Sequence, residues 1–167
     1  MTQPRAIASI IIPIGVNHVH VAARAIQSAM QQTLPCEVIP IADEQMLGAA
    51  YARNRGIEQA TCDFCVFLDA DDLLMPTYVE RCLQLHLQTG RYVYTDFVDQ
   101  NGKLYSAPDC AWVNDSWHAV TALIPTAWVR AVDGFDEDLR LGGEDSEFYV
   151  HLCTEGHCGT RLPEALL

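Results

Sequence analysis

The sequence predicts an α/β protein in which helices flank a central, mostly parallel sheet. Short apolar runs alternate with stretches of helical periodicity over the first 70 residues. The apolar runs are continuous, as is typical of strands buried on both faces. Parallel strands need a crossover between them, usually a helix, and this order supplies one each time.

The first part of the chain contains five predicted elements. Leu34-Pro35 ends the first helix, and Gly48 precedes the second. The order strand-helix-strand-helix-strand is that of a parallel α/β sheet. The elements are strands over residues 8–13, 37–41 and 64–68 and helices over residues 19–32 and 49–60.

The rest of the chain adds three helices, three strands and a turn-rich segment at residues 107–117, which could form a surface loop over a site. Pro76 suits the first position of a helix, and Asn101-Gly102 favours a two-residue hairpin. No repeat or linker divides the chain, so we expect one domain over residues 1–167. The elements are helices over residues 76–88, 126–132 and 144–155 and strands over residues 91–96, 122–124 and 160–162.

The charge of the chain excludes some partners. Its 22 acidic and 10 basic residues give a formal net charge of −12. Such a protein has no long-range attraction for nucleic acids or anionic membranes. No apolar stretch reaches the roughly 20 residues of a membrane-spanning helix, and residues 7–14 are interpreted as a strand, not a signal peptide. We expect a cytoplasmic protein.

Seven cysteines are scattered along the sequence, an odd number. Cys62 and Cys65 form a C-x-x-C pair, but no second pair with zinc-ligand spacing accompanies it. Cys65 also falls within a predicted strand. We therefore expect buried free thiols in a reducing compartment.

An acidic stretch follows the third predicted strand. Asp69, Asp71 and Asp72 lie within four residues and repel one another unless a cation joins them. Mg²⁺ and Mn²⁺ prefer such oxygen ligands and keep coordination positions open for phosphates. Ligands of open α/β sheets bind at this end of the strands. The alternative is a solvated acidic turn that caps the next helix.

Two further acidic pairs follow predicted strands or begin predicted helices. Asp43-Glu44 follows the second strand, so it could share a pocket with the Asp69 stretch. Glu144-Asp145 begins a helix after two glycines. Acidic residues are favoured at helix N-termini by the helix dipole, so a capping role for this pair is a serious alternative.

Four motifs stand in register over about 150 residues. They are residues 9–13 (SIIIP), 52–57 (ARNRGI) with Ala60, 67–72 (FLDADD) with Pro76, and 134–137 (GFDE) with 144–145 (ED). Together these motifs resemble those of the family 2 glycosyltransferases. The resemblance implies an inverting enzyme of the GT-A fold with a DxD motif.

The resemblance implies an enzyme that uses Mn²⁺ or Mg²⁺. Asp69 and Asp71 correspond to the DxD pair that holds the metal against the donor diphosphate, and Asp72 could assist. Asp145 corresponds to the general base that takes the proton of the acceptor hydroxyl. One base opposite one metal-bound leaving group implies a single displacement with inversion.

The resemblance also implies the partners and the donor contacts. The donor would be a nucleotide sugar, with a UDP-sugar favoured, and the acceptor a hydroxyl of a glycan or surface polysaccharide. Residues 1 to about 100 would form the half that binds the nucleotide sugar, and about 101–167 the half that binds the acceptor. Assembly into a homo-oligomer is also possible. The nucleotide-sugar contacts implied are Pro13, Ile14, Asp43, Asn54, Asp69 and Ala70.

The sequence departs from the family pattern at several places. After the second strand the usual Asp-Asp-Gly-Ser is replaced by residues 42–45 (ADEQ), and residues 14–17 (IGVN) replace the usual residues after the first strand. The departure after the second strand leaves nucleotide specificity open. Several relatives supply a metal-binding histidine after the last strand, and this sequence stops at about that point, so we expect a truncated C-terminus.

Several other residues have a possible functional role and a simpler structural one. His118 and His157 could contact substrate or metal, although most such histidines are surface or hydrogen-bonded residues. Arg53 and Arg55 could steady phosphates, although at this spacing one of them should face solvent. Trp112 and Trp117 could stack on a sugar, although loop aromatic residues more often cover a core.

Two other functions compete with glycosyl transfer. The first is a nucleotide-sugar-binding module that is non-catalytic or depends on a partner. The second is a phosphatase of the haloacid dehalogenase type, in which Asp69 would be the nucleophile. That class needs its motif near the N-terminus and a lysine for phosphate, whereas the only lysine here is Lys103, beside a predicted hairpin turn.

Overall fold

The structure, a computed structural model, describes residues 5–108, 118–140 and 142–167. Trp112 and Trp117, and with them most of the predicted loop at 107–117, lie outside these residues. The strands are β1 (Ala8–Gly15), β2 (Cys36–Asp43), β3 (Phe64–Phe67), β4 (Tyr92–Val98), β5 (Leu104–Tyr105), β6 (Ala122–Pro125) and β7 (Gly159–Ala165). The helices are α1 (Val19–Met30), α2 (Ala49–Gln59), α3 (Tyr78–Thr89), α4 (Thr126–Ala131) and α5 (Glu144–Thr154).

The strands form one seven-stranded sheet in the order β2-β1-β3-β6-β4-β5, and β7 pairs with β4. β2, β1 and β3 are parallel neighbours, as the strand-helix order predicted. β6 lies antiparallel between β3 and β4, β5 is antiparallel to β4, and β7 is parallel to it. The prediction of a mostly parallel sheet flanked by helices is confirmed.

Apolar layers cover both faces of the sheet, and successive residues of β1 show how. Ile10 and Ile12 belong to the layer that also contains Ala25 of α1 and Tyr78 of α3. Ile11, between them, belongs to the opposite layer, formed with α2, α4 and α5. A strand buried on both faces needs apolar residues at consecutive positions, which explains the continuous run in the sequence.

The last strand, β7, is longer than predicted, and two other local predictions also differ from the structure. Helix α3 begins at Tyr78, two residues after the predicted start at Pro76. The hairpin between β4 and β5 is wider than two residues, because its last strand pair is Val98 with Leu104. The carboxylate of Asp99 explains the wider turn, since it accepts hydrogen bonds from the backbone N–H groups of Asn101 and Lys103, both at 2.9 Å.

The cysteines in the described part of the chain are free thiols, but the prediction that they are buried holds for only some of them. Cys62, Cys65 and Cys82 are buried, whereas Cys36, Cys153 and Cys158 are partly exposed. Burial raises the pKa of the Cys65 thiol to about 11, so it remains protonated and unreactive. The Cys65 sulfur lies 3.3 Å from the hydroxyl of Thr126. No helix in the described ranges has the length and apolarity required to cross a membrane.

Candidate active site

A cavity of about 420 Å³ opens at the carboxyl ends of β1, β2 and β3. Parallel pairing brings these strand ends together: Gly15 of β1 lies opposite Asp43 of β2, and Ile11 of β1 lies opposite Phe67 of β3. Ligands of open α/β sheets bind at this kind of edge. The lining residues are Pro13, Gly15, His18, Asp43, Gly48, Ala49, Ala52, Arg53, Asp69, Ala70, Asp71 and Glu144.

Asp43 shapes the wall between β2 and α2. It is only 6% exposed. Its carboxylate accepts hydrogen bonds from the backbone N–H groups of Leu47 at 2.9 Å and Gly48 at 2.8 Å. Gly48 has a φ of 108°, a conformation that L side chains rarely adopt. Asp43 therefore holds the turn that leads into α2, and it still faces the cavity.

Arg53 is the buried cation of the site. Its guanidinium donates a hydrogen bond to Asp69 at 2.8 Å and another to Glu144 at 2.9 Å. The guanidinium carbon also lies 5.2 Å from the centre of the Phe135 ring. Burial alone would lower the pKa of Arg53, but the two carboxylates outweigh it and raise that pKa. Arg53 remains charged and joins the end of β3 to the start of α5.

The three aspartates after β3 differ in their surroundings. Asp69 is half-buried and paired with Arg53, whereas Asp71 is exposed at the mouth of the cavity. Burial, and after it the charges of Asp69 and Asp71, raise the pKa of Asp72 to about 6. Unneutralised negative charge therefore remains at this strand end.

The donor set suits a hard divalent cation. Among the described residues, no group of three or more His, Cys, Asp or Glu side chains is arranged to enclose a metal. Mg²⁺ sites commonly use only one or two protein carboxylates and complete the shell with water and substrate phosphates. Asp69 and Asp71, which both line the cavity, match that chemistry.

Three of the predicted site residues lie apart from the cavity lining. The side chain of Ile14 packs into the α1–α3 layer on the other face of the sheet. Asn54 uses its amide to bind Phe135 and Glu137, on the side of α2 away from the cavity. Asp145 follows the lining residue Glu144, and its carboxylate accepts a hydrogen bond from the backbone N–H of Ser146 at 2.8 Å.

Three residues whose roles the sequence left open make structural contacts: His118, His157 and Arg55. His118 is 2% exposed and stacks on Tyr94 with ring centres 3.9 Å apart. His157 stacks on Trp128 at 4.1 Å. Arg55 is the arginine that faces outward, and it pairs with Glu58 at 2.7 Å.

Three ionisable residues of the cavity lining were not among the predicted site residues: His18, Arg53 and Glu144. His18 comes directly before α1. No acidic residue beside it in the sequence marks it as a site residue. Arg53 could not be separated from Arg55 by spacing alone. The family resemblance favoured Asp145 over Glu144. The register of α5, however, decides which of these two neighbouring acids faces the cavity, and it places Glu144 there.

Comparison with known proteins identifies the family. The model of glycosyl transferase family 2 matches residues 21–119, more than half of the chain. The chain belongs to glycosyl transferase family 2. A segment of 41 residues is 49% identical to the uncharacterized glycosyltransferase YibD of Escherichia coli (strain K12), covering 25% of this chain and 12% of YibD.

The fold is that of solved GT-A structures. S. aureus TarS superposes with a TM-score of 0.78 at 19% identity, covering 95% of this chain and 36% of TarS. TarS 1-349 in complex with UDP-GlcNAc gives a TM-score of 0.78 at 19% identity, with 95% and 57% covered. The complex of TarS 1-349 with UDP gives 0.74 at 18% identity, with 95% and 59% covered. The chain thus spans between 36% and 59% of these proteins.

Proposed function

We propose that this protein transfers a sugar from a UDP-sugar to a hydroxyl of a glycan or surface polysaccharide, with inversion at the sugar carbon. The observation that carries the proposal is the cavity in which Asp43, Asp69 and Asp71 meet at the ends of parallel strands. Family membership supports glycosyl transfer. The complexes of TarS with UDP and UDP-GlcNAc support the choice of donor.

The donor would lie across the ends of β1, β2 and β3. The wall of the cavity at its nucleotide end would be formed by Pro13, Asp43 and Ala70. Ile14 can contribute through its backbone, since its side chain packs on the other face of the sheet. Asn54 would act on the donor indirectly, by holding the segment at 134–137 against α2. About residues 1–100 would thus serve the donor and about 101–167 the acceptor.

Asp69 and Asp71 would hold Mn²⁺ or Mg²⁺ at the diphosphate. When bound, the cation would neutralise the charge that develops on the leaving diphosphate. Arg53 would keep Asp69 at the inner side of the cavity through their 2.8 Å ion pair. Asp71, exposed at the mouth, has an unobstructed carboxylate for the second ligand position.

Asp145 is our candidate for the general base. Glu144 lines the cavity, but its carboxylate is already engaged by the Arg53 guanidinium at 2.9 Å. The hydrogen bond from Ser146 occupies one carboxylate oxygen of Asp145, and the other is available to accept the proton of an acceptor hydroxyl. One base on the side opposite the leaving group gives a single displacement.

The test is nucleotide release from a panel of UDP-, GDP- and TDP-sugars with and without Mn²⁺, run beside calorimetric binding. Asp145→Asn should lower kcat by about 10²- to 10⁴-fold while donor binding stays within about twofold of wild type. The matched control is Glu147→Gln on the same helix, whose partner His151 lies at the surface. It should leave kcat unchanged.

Each alternative has its own outcome. Mn²⁺-dependent donor binding without turnover, with an acceptor mixture present, would favour a binding module. The phosphatase has lost its support, because Lys103 lies over the Tyr105 ring in the β4–β5 hairpin and not in the cavity lining. A protein that binds no nucleotide sugar, with or without metal, would contradict the proposal.

A further inference from the structure

Arg53 divides one positive charge between two carboxylates from different parts of the fold. Asp69 lies two residues after the end of β3, and Glu144 begins α5. The two contacts, 2.8 Å and 2.9 Å, use different terminal nitrogens of the same guanidinium. Planar guanidinium groups suit such two-pronged pairing, which a lysine ammonium cannot reproduce with the same geometry.

The surroundings make this sharing electrostatically strong. Arg53 is 3% exposed, and the Phe135 ring covers part of the guanidinium. Charges interact more strongly when water is excluded, because the local dielectric is lower. Within the described part of the chain, the Nε of Arg53 has no hydrogen-bond partner. Its two ion pairs there, made by the terminal nitrogens, are with Asp69 and Glu144.

The contact to Glu144 limits how fully Arg53 can neutralise Asp69. If Glu144 withdrew, the freed nitrogen could turn to the second oxygen of Asp69 and pair with both. Asp69 would then be a weaker ligand for any cation in the cavity. If Arg53 itself were removed, no ion pair would offset the negative charge of Asp69.

We propose that Arg53 is a positioning residue whose sharing between Asp69 and Glu144 sets the affinity of Asp69 for a divalent cation. The inference rests on the proposed metal-dependent function. It adds a physical link between the donor side of the cavity and the helix that carries Asp145. By holding one nitrogen of Arg53, Glu144 limits the competition between Arg53 and the cation for Asp69. Glu144 is not itself a ligand of the cation.

The experiment measures Mn²⁺ affinity in the presence of UDP, by the electron paramagnetic resonance signal of free Mn²⁺. Glu144→Gln should weaken Mn²⁺ binding at least about threefold, and Arg53→Met should strengthen it by at least about threefold. Glu144→Asp is the decisive variant. It keeps the charge but shortens the side chain, so it should weaken binding as Glu144→Gln does.

Two variants control for charge alone. Glu58→Gln and Arg55→Met remove the same charges from a surface pair on α2 outside the cavity. Both should bind Mn²⁺ within about twofold of wild type. Circular dichroism establishes that each variant is folded. The comparison of the two Glu144 variants does not need Arg53→Met, which could fail to fold because its site is buried.

The outcomes separate the inference from the proposed function. Wild-type affinity in Glu144→Asp, with loss in Glu144→Gln, would mean that Glu144 acts only through its charge and would overturn the inference. Unchanged affinity in all Glu144 variants would also overturn it. A wild-type protein that binds no Mn²⁺ even with UDP would instead overturn the proposed metal site.

Discussion

At the scale of single residues, the amide of Asn54 joins helix α2 to the segment that follows α4. It donates to the Phe135 carbonyl at 2.8 Å and to Glu137 at 2.9 Å, and it accepts from the Phe135 N–H at 2.9 Å. A Cβ on Gly134 would lie 2.4 Å from its oxygen, so the approach is close. Such a network makes Asn54 a fold-stabilising residue next to the site.

Asn54→Ala should therefore lower the free energy of unfolding by about 2 kcal/mol, because the backbone groups of buried Phe135 lose their hydrogen bonds. The affinity of the folded protein for UDP should stay within about threefold of wild type. Urea unfolding and calorimetry measure the two quantities. Gln100→Ala, at an exposed turn, is the control and should change stability by less than about 0.5 kcal/mol. Lost UDP binding at full stability would instead make Asn54 a donor contact.

His118 gives a pH dependence with a defined sign. Burial lowers its pKa from 6.5 to about 4, and a hydrogen bond to the Ala119 carbonyl opposes this only in part. The unfolded chain therefore binds more protons than the folded protein between these values. The contribution of His118 to stability is fully present above about pH 6.5 and is lost as the pH falls towards 4.

His118→Asn should remove this slope. We expect the free energy of unfolding of wild type, relative to the variant, to rise by about 3 kcal/mol between pH 4 and pH 6.5. Asp72, with its pKa raised to about 6, acts in the opposite direction, but it is present in both proteins and cancels. Denaturant unfolding across this range measures the difference. An equal slope in both proteins would show that His118 is solvated.

Sequence reasoning at this scale found the acids at strand ends but not their partners. Asp43, Asp69 and Asp71 could be placed in one cavity because parallel strands end at one edge. Helical spacing cannot tell Arg53 from Arg55, because the inward face of α2 depends on how the helix rotates against β1. That rotation is set by tertiary packing, which the local sequence does not determine.

At the scale of elements, helix α2 packs unusually close to β1. An added Cβ on Gly56 would lie 2.2 Å from the Cγ2 atom of Ile11, which real contacts do not allow. Alanine normally stabilises a helix by about 1 kcal/mol relative to glycine. Here the close approach should reverse that sign.

We expect Gly56→Ala to destabilise the protein by about 2 kcal/mol, since overpacked cores must shift side chains or backbone. Thermal and urea unfolding measure the loss. Adding Ile11→Ala to this variant removes the obstructing atoms, so the double variant should be more stable than the sum of the single changes predicts. A stabilised Gly56→Ala variant would contradict the close packing of α2 on β1.

The order of the elements could be predicted, whereas the arrangement of the second half of the sheet could not. The apolar runs at β1, β2 and β3 carry their parallel order, because helices of crossover length separate them. β6 has the same short apolar pattern whichever strand it pairs with. Its antiparallel place between β3 and β4 depends on contacts that are distant in sequence.

At the scale of the whole molecule, the acidic charge constrains how an anionic donor can bind. Against a net charge of −12, several arginines are already paired away from the cavity: Arg5 with Asp63, Arg81 with Glu164, and Arg161 with Asp96. Arg53 is the buried basic residue of the cavity lining. A nucleotide diphosphate therefore meets a repulsive field that a cation would reverse locally.

Divalent cations should consequently stabilise the folded protein in two separable ways. Screening of the net charge is unspecific, so NaCl of equal ionic strength should reproduce it. Binding at the cavity is specific and should add about 2.7 kcal/mol when Mn²⁺ is present at 100 times its dissociation constant. Asp71→Asn should abolish the specific part with little effect on the stability of the metal-free protein, because Asp71 is exposed.

The control is Glu58→Gln, which removes an exposed acid outside the cavity and should retain the specific stabilisation by Mn²⁺. Equal Mn²⁺ responses in wild type and Asp71→Asn, measured by calorimetric melting, would reduce the effect to screening and remove Asp71 from the metal site.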